Sequence, residues 1–247
     1  MQAVTIGAAT ATRLVVAHHY LHRRPPISHA IGLRDNNTIV GVVTFGVPAS
    51  RHLQKSACPT SPDLVLELNR LWLADHLPTN TASWFVSRAF HRIPARIIVS
   101  YADPLHGHLG YVYRALNFHY AGWTDMERKT PRFDYLPANP ATHTRDAFRN
   151  GYVERRRRIA KVKYWTTTGN RSERRRLTDL CGWPTYDWNT LPPPATPRPQ
   201  NGPKSALPAP FLQVDGAVEV GFEPGTARPE LAGHDEHAGH SMPIAHR

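Results

Sequence analysis

Cysteine is nearly absent from this 247-residue chain, which has only Cys58 and Cys181, far apart in sequence. Two distant thiols make neither a disulfide scaffold nor a Cys-x-x-Cys metal knuckle, and they point to a reducing compartment. Long apolar runs are missing as well. Nothing approaches the roughly 18 residues of a membrane span, and Met1 to Thr12 lacks the basic start of a signal peptide. The expectation is a cytoplasmic protein with no membrane partner. There is no GxGxxG and no P-loop, so the common dinucleotide and nucleoside-triphosphate sites have no support. Acidic residues are scarce beside basic ones, 19 against 30, for a net charge of +11.

That excess is local. Residues 191–247 hold four basic and six acidic groups, whereas Arg145 to Arg176 contains twelve basic and three acidic residues. Such a run is either a footprint for a phosphate backbone or a solvated basic surface. Charge alone does not separate DNA from RNA. Residues 191–247 also carry 11 of the 23 prolines and four dispersed histidines, which reads as a tail after a globular part at 1–190. Within it, Val218 to Phe222 could dock as one strand.

Apolar periodicity in the globular part predicts a helix over Ala11–Leu21 and strands over His29–Leu33 and Thr38–Phe45 around the turn Arg34–Asn37. A long strand over Leu64–Leu73 and a helix over Thr79–Arg92 follow. Next come a strand at Arg96–Val99, a short helix at Leu109–Leu116, and strands at Phe118–Trp123 and Lys161–Thr166. This order implies an α/β fold, a mixed central sheet flanked by helices. Two parallel strands joined by the Thr79–Arg92 crossover would splay at a shared end. Asn69–Leu73 and Ser100–Asp103 would then face one cleft.

The chemically capable residues gather around that end. Ser100-Tyr101-Ala102-Asp103-Pro104 closes an apolar strand, and Pro104 holds Asp103 extended. Asp103 suits a general base or a loop cap equally. Tyr113, ten residues on, could donate a proton to a leaving group. Tyr111 cannot share its helical face. His106 and His108 alternate, but they would need a third ligand for a metal, from His29, Asp103 or His18-His19. His29 is also an acid-base candidate. In Glu67-Leu68-Asn69-Arg70-Leu71, period two puts Glu67 and Asn69 on one face and Arg70 on the other. Asn69 could hold a carbonyl or a base edge. The loop before Thr81 could present backbone amides to a pyrophosphate, although it has no glycine.

The runs Leu66–Asp75, Ala82–Ser87 and Ser100–Pro104 through Asn117-Phe118 resemble the Mom DNA-modification proteins of bacteriophages. The same order of elements is similar to the GCN5-related N-acetyltransferase (GNAT) fold, with Tyr113–Phe118 resembling its helix after the fifth strand. The resemblance covers roughly Thr12 to Thr168. It implies an enzyme that converts adenine N6 in phage DNA to N6-carbamoylmethyl adenine, protecting the DNA from host restriction. It further implies double-stranded DNA as partner, the host cytoplasm as location, and a homodimer as an open possibility. By this resemblance His29, Asp103 and Tyr113 are the functional histidine, aspartate and tyrosine, with Asn69, Ser100 and Tyr101 as other cleft residues. Leu71, Leu73, Thr79, Asn80 and Thr81 would hold an acyl-type donor, such as acetyl-CoA or an aminoacyl carrier. The missing loop glycines depart from ordinary acetyltransferases and leave the donor's identity unknown. Iron also stays open.

The expected division of labour has Asp103, with His29, taking the amine proton and Tyr113 protonating the departing group. Arg145–Arg176 would hold the DNA backbone, and Tyr164 or Trp165 would stack on a base. Two other readings remain: an N-acyltransferase acting on a protein, a tRNA or a small amine, and a non-enzymatic DNA-binding protein on a degenerate acyltransferase scaffold.

Overall fold

Alternating and continuous apolar runs build one seven-stranded sheet. Its strands, in chain order, are β1 (Gln2–Thr5), β2 (His29–Asp35), β3 (Thr38–Gly46), β4 (Val65–Leu73), β5 (Ile97–Ala102), β6 (His119–Trp123) and β9 (Val162–Thr167). In space they run β1-β2-β3-β4-β5-β9-β6. Only β4 and β5 pair in parallel; every other neighbour is antiparallel. A separate two-stranded hairpin joins β7 (Phe133–Leu136) to β8 (Glu154–Arg157). These coordinates are a computed structural model that describes residues 1–125, 129–138 and 144–190. The Pro-rich segment 191–247, with its candidate strand Val218–Phe222, lies outside the described residues. All the described residues fall within one compact unit, Met1–Val214.

Helices cover both faces of the sheet. On one face α3 (Thr81–Phe90) and α4 (Tyr111–Ala115) bury Phe85, Val86, Ala89 and Tyr113 against Ile31, Phe45, Leu68 and Ile98. On the other, α1 (Ala8–His18) packs Leu14 and Val15 on Ala30 and Val42. The same face carries α2 (Arg51–Ala57) and α6 (Arg171–Leu180), which close over Val65, Ile97, Val99 and Trp165. A short helix α5 (Thr144–Asn150) adjoins β7. The outcome is a three-layer mixed α/β architecture. No helix among the described residues is long and apolar enough to cross a membrane.

Two local features differ from simple periodicity. The β3–β4 register shifts between Thr44 and Phe45, leaving Asn69 as the extra residue of a β-bulge. Its amide is spent on the bulge: Thr44 donates to its Oδ1 at 2.5 Å, and its Nδ2 donates to the Pro26 carbonyl at 2.7 Å. Gly46 makes this close approach feasible, because a Cβ there would sit 2.0 Å from Pro26 O. The bulge reverses the alternation, so Glu67 and Arg70 share one face while Leu68 and Leu71 share the other. This corrects the period-two assignment. The second difference is α1, which ends at His18 rather than Leu21. His19 is already extended at φ −77°, ψ 137°, so Tyr20 leaves the helix and joins the cavity wall described below.

Gly110 starts α4 at φ +91°, and a Cβ on it would meet the Tyr164 ring at 2.5 Å. Gly110→Ala therefore combines left-handed strain with overpacking of a buried ring, and should lose about 2–4 kcal/mol. Urea denaturation followed by circular dichroism measures this; a loss below about 1 kcal/mol would show that α4 tolerates the shift.

Candidate active site

The parallel ladder between β4 and β5 ends at Glu67 and Val99. Beyond that pair the strands part, and a cavity of about 320 Å³ fills the gap. This lies near the lower end of small-molecule sites, about 300–1,000 Å³. Glu67, Arg70 and Tyr101 enter it from one face of the sheet; Leu68, Leu71 and Tyr113 enter from the other. The cavity therefore passes through the sheet at the splay. His19, Tyr20 and Leu21 from the end of α1, His108 and Tyr111 ahead of and on α4, and Lys161 complete its wall.

The splay leaves the Leu68 carbonyl without a ladder partner, and Ser100 supplies one. Ser100 Oγ is 2.9 Å from Leu68 O and 2.7 Å from the Tyr113 hydroxyl. A serine has one proton and a carbonyl only accepts. Ser100 therefore donates to Leu68, and the Tyr113 hydroxyl donates to Ser100. Burial pushes the Tyr113 phenol up to about 12, with the Ser100 hydrogen bond opposing and Glu67 adding to the rise. An ordinary thiol has a pKa near 8.5, so proton transfer from Tyr113 to a thiolate would be uphill by roughly 5 kcal/mol. In the folded chain the Tyr113 hydroxyl is held as a hydrogen-bond donor to Ser100. Burial, with Glu67 second, also raises the Tyr101 phenol strongly, and its ring packs edge-on to Trp183 at 6.4 Å.

Asp103 is buried and already partnered. It accepts from the Leu105 amide at 3.2 Å, lies 3.0 Å from Lys161 Nζ and stands 3.5 Å from His106 Nδ1. Asp103 is thus the loop cap that one sequence reading gives, and it also lines the cavity. Glu67 differs. Among the described residues no hydrogen bond or ion pair engages its carboxylate, and burial raises its pKa to about 7 despite the more distant cations of Arg70 and Lys161. Arg70 donates through Nη1 to Asn69 O at 2.6 Å, while its buried Nε finds no acceptor. An orphaned donor in a cavity wall costs about 1–3 kcal/mol, which a bound acceptor would recover.

The structure gathers Asp103, Tyr113, Tyr101, Asn69 and Leu71 at the cavity, with Ser100 directly behind Tyr113. It leaves His29 out. His29 opens β2, three strand spacings or about 14 Å from β5 in the sheet order. Burial, then Arg96, lowers its pKa. Leu73, Thr79, Asn80 and Thr81 are likewise absent from the lining. The Thr81 amide and hydroxyl both turn back to the Pro78 carbonyl, at 3.2 and 2.6 Å, so the loop caps itself. Tyr164 and Trp165 are buried in the central strand β9, with Tyr164 bonded to Leu109 O and Trp165 stacked on His119, so neither is free to stack on a base.

Sequence reasoning missed Glu67 as a cavity acid and Tyr20 as a cavity residue, and it named His19 only as a possible metal ligand. His19 Nδ1 accepts from the Leu21 amide at 3.1 Å, which assigns the proton to Nε2. Burial, then Arg70 and neighbouring histidines, depresses it to about 3. The Tyr20 ring sits against His19, His106 and His108 at 4.3, 4.4 and 5.1 Å. The Glu67-x-x-Arg70 polar interruption in an apolar strand was the available signal. Among the described residues no three His, Cys, Asp or Glu side chains converge as a metal site. With Asp103 and His19 Nδ1 already engaged, these residues do not fit a bound iron, and no step below runs through one.

A model of the Mom protein family matches residues 2–179. The chain belongs to the Mom protein family. A curated relative, the methylcarbamoylase mom of Escherichia phage Mu, is 30% identical over 125 residues. The match covers 48% of this chain and 52% of the relative, so the chain spans about half the length of the curated relative it matches.

Glu67 also makes this Mom family member's stability depend on pH. An ordinary glutamate at 4.5 is raised to about 7 in the fold. Between those values the folded state keeps a proton that the unfolded chain has released, so stability falls as pH rises through the window. Glu67→Gln should flatten this slope, matching the parent near pH 4 and exceeding it by up to about 3 kcal/mol at pH 8. Urea titrations at the two pH values test this; parallel pH profiles for parent and variant would refute it.

Proposed function

We propose that this chain modifies DNA inside a phage-infected cell, converting the N6 amine of adenine to N6-carbamoylmethyl adenine and so shielding the DNA from host restriction. Family membership and the named activity of the phage Mu relative support the substrate and the reaction. The observation that carries the chemistry is the unpartnered Glu67 carboxylate in a cavity that crosses the sheet. We read the single parallel pair, joined by the α3 crossover, as the acyltransferase-like frame expected of a GNAT relative.

The adenine amine is a weak nucleophile because its lone pair is delocalised into the ring. It needs a base that acts as the new bond forms, and an ideal base titrates near the working pH. Glu67, raised to about 7, fits that need better than the ion-paired Asp103. As the nitrogen bonds to the methylene carbon of a donor that carries a carbamoylmethyl group, the amine proton passes to Glu67. The donor's bond to its leaving group breaks and the leaving group takes the electron pair. Lys161 and Arg70 stabilise that departing charge. Asp103 holds Lys161 in place, and the Tyr113–Ser100 pair fixes the wall where β5 leaves β4. Tyr20, Tyr111 and His108 offer flat faces to a base extruded from the duplex.

DNA from cells expressing the chain should contain a modified adenosine by nucleoside mass spectrometry. Glu67→Gln should lower its yield at least about 100-fold while the protein stays folded. Asp103→Asn should also lower it, by releasing Lys161. An unmodified spectrum from soluble parent protein would reject the enzyme reading. Full modification by Glu67→Gln would place the base elsewhere.

A further inference from the structure

We propose that the β7–β8 hairpin is the DNA-docking arm of this protein and that Arg155 and Arg157, on one of its two faces, make the phosphate contacts. The proposal rests on the reading of DNA as substrate and assigns the surface that holds it.

The register pairs Phe133 with Arg157, Asp134 with Arg156, Tyr135 with Arg155, and Leu136 with Glu154. Directly opposed residues share a face of the ribbon. One face therefore carries Asp134, Glu154, Arg156 and, paired with Asp134, Arg158, so its charges cancel. Arg158 donates to Asp134 Oδ1 through Nε at 3.1 Å and through Nη2 at 2.6 Å. Arg156 donates to Glu154 through Nε at 3.2 Å and Nη2 at 3.4 Å. The other face carries Phe133, Tyr135, Arg155 and Arg157. Among the described residues no carboxylate pairs with either of these arginines. Arg155 lies over the Phe133 ring, its guanidinium carbon 3.7 Å from the centroid. Stacking on a ring fixes the guanidinium plane and leaves its edge donors pointing outward for phosphate oxygens.

Four consecutive arginines thus divide into two spent and two free. A two-stranded ribbon alone is marginally stable in water. Here the ring stack, the two ion pairs and the Tyr135 contacts with Phe148 and Tyr152, at 4.9 and 4.8 Å, hold it together. Phe148 remains 63% and Tyr152 45% exposed, so the arm buries little core of its own. Its free charge and shape both match duplex DNA, whose major groove is about 12 Å wide and admits a two-stranded ribbon. The arm is also tethered to the cavity. Lys161, in the cavity wall, follows Arg157 by four residues, a reach of at most about 14 Å. A duplex held on the arm would present an extruded base at the cavity.

Binding of the full chain to a duplex of random sequence, measured between about 50 and 200 mM salt, tests the assignment. Arg155→Ala/Arg157→Ala should reduce the salt slope by about 1.8, since each lost phosphate contact removes about 0.9. Arg156→Gln/Arg158→Gln loses the same formal charge, keeps amide donors for Glu154 and Asp134, and should leave the slope unchanged. Arg155→Lys/Arg157→Lys should retain the parent slope, which separates lost contacts from a damaged hairpin. Equal losses in the two charge-removing pairs, or no loss in the first, would overturn the docking arm while leaving the DNA reading intact. A parent chain that binds no duplex at any salt would overturn both.

Discussion

Everything at the candidate site depends on one break in one ladder. β4 and β5 pair through Glu67 and Val99 and then separate. A carbonyl released from a sheet interior must find a donor or lose a hydrogen bond's worth of stability. Ser100 meets that demand at Leu68, and its oxygen in turn fixes the Tyr113 hydroxyl. The break thus creates the cavity and also orders one of its walls. The bulge at Asn69 does the rest. By absorbing one residue it turns Arg70 to the face of Glu67, so a cation and an acid enter the cavity together instead of on opposite sides of the sheet.

Two carboxylates line this space in different states, and the contrast assigns their work. Asp103 has an amide, a lysine and a histidine within reach. A carboxylate so surrounded is an anchor for those groups. Among the described residues Glu67 has cations nearby but none in contact, and burial outweighs them. Such a group changes protonation at little cost to its surroundings. On the proposed reading, acid-base chemistry falls to Glu67 and positioning to Asp103.

The sequence made much of this legible. The strands from His29 to Phe45, the long strand ending at Leu73, the crossover helix and the polar strand end at Asp103 were all readable from apolar periodicity. So was their meeting at one cleft, because parallel strands joined by a crossover share an open end. A bulge was not readable, since period-two alternation has no signature for an extra residue, and the faces of Glu67 and Arg70 came out reversed. The early stop of α1 hid His19 and Tyr20 inside an apparent helix. The β7–β8 hairpin was invisible because Glu154–Arg157 lacks any apolar alternation; its pairing rests on ion pairs and a ring stack. α6 buries only Leu177, yet Asn170 and Glu173 form a reciprocal cap with bonds of 2.9 and 2.7 Å. That Asn-x-x-Glu signature was present in the sequence and went unused.

The basic stretch from Arg145 to Arg176 looks like one feature and is four: helix α5, hairpin strand β8, strand β9 and helix α6. Its hairpin projects charge, its strand β9 is a core element between β5 and β6, and its helix α6 shields a sheet face. Charge alone could not show this division, because burial of Tyr164 and Trp165 is set by their place in the sheet. The division has a mechanical consequence. β9 is clamped on both edges, and the segment entering it carries Lys161, fixed 3.0 Å from Asp103. One end of the docking arm is therefore anchored to the cavity wall. A duplex bound to a free tail would sample many orientations, whereas one bound to an arm anchored at Lys161 samples few. Effective molarity of the extruded base at Glu67 rises for that reason alone. The arrangement explains why phosphate-binding charge and the cavity's own lysine occupy one continuous stretch of chain.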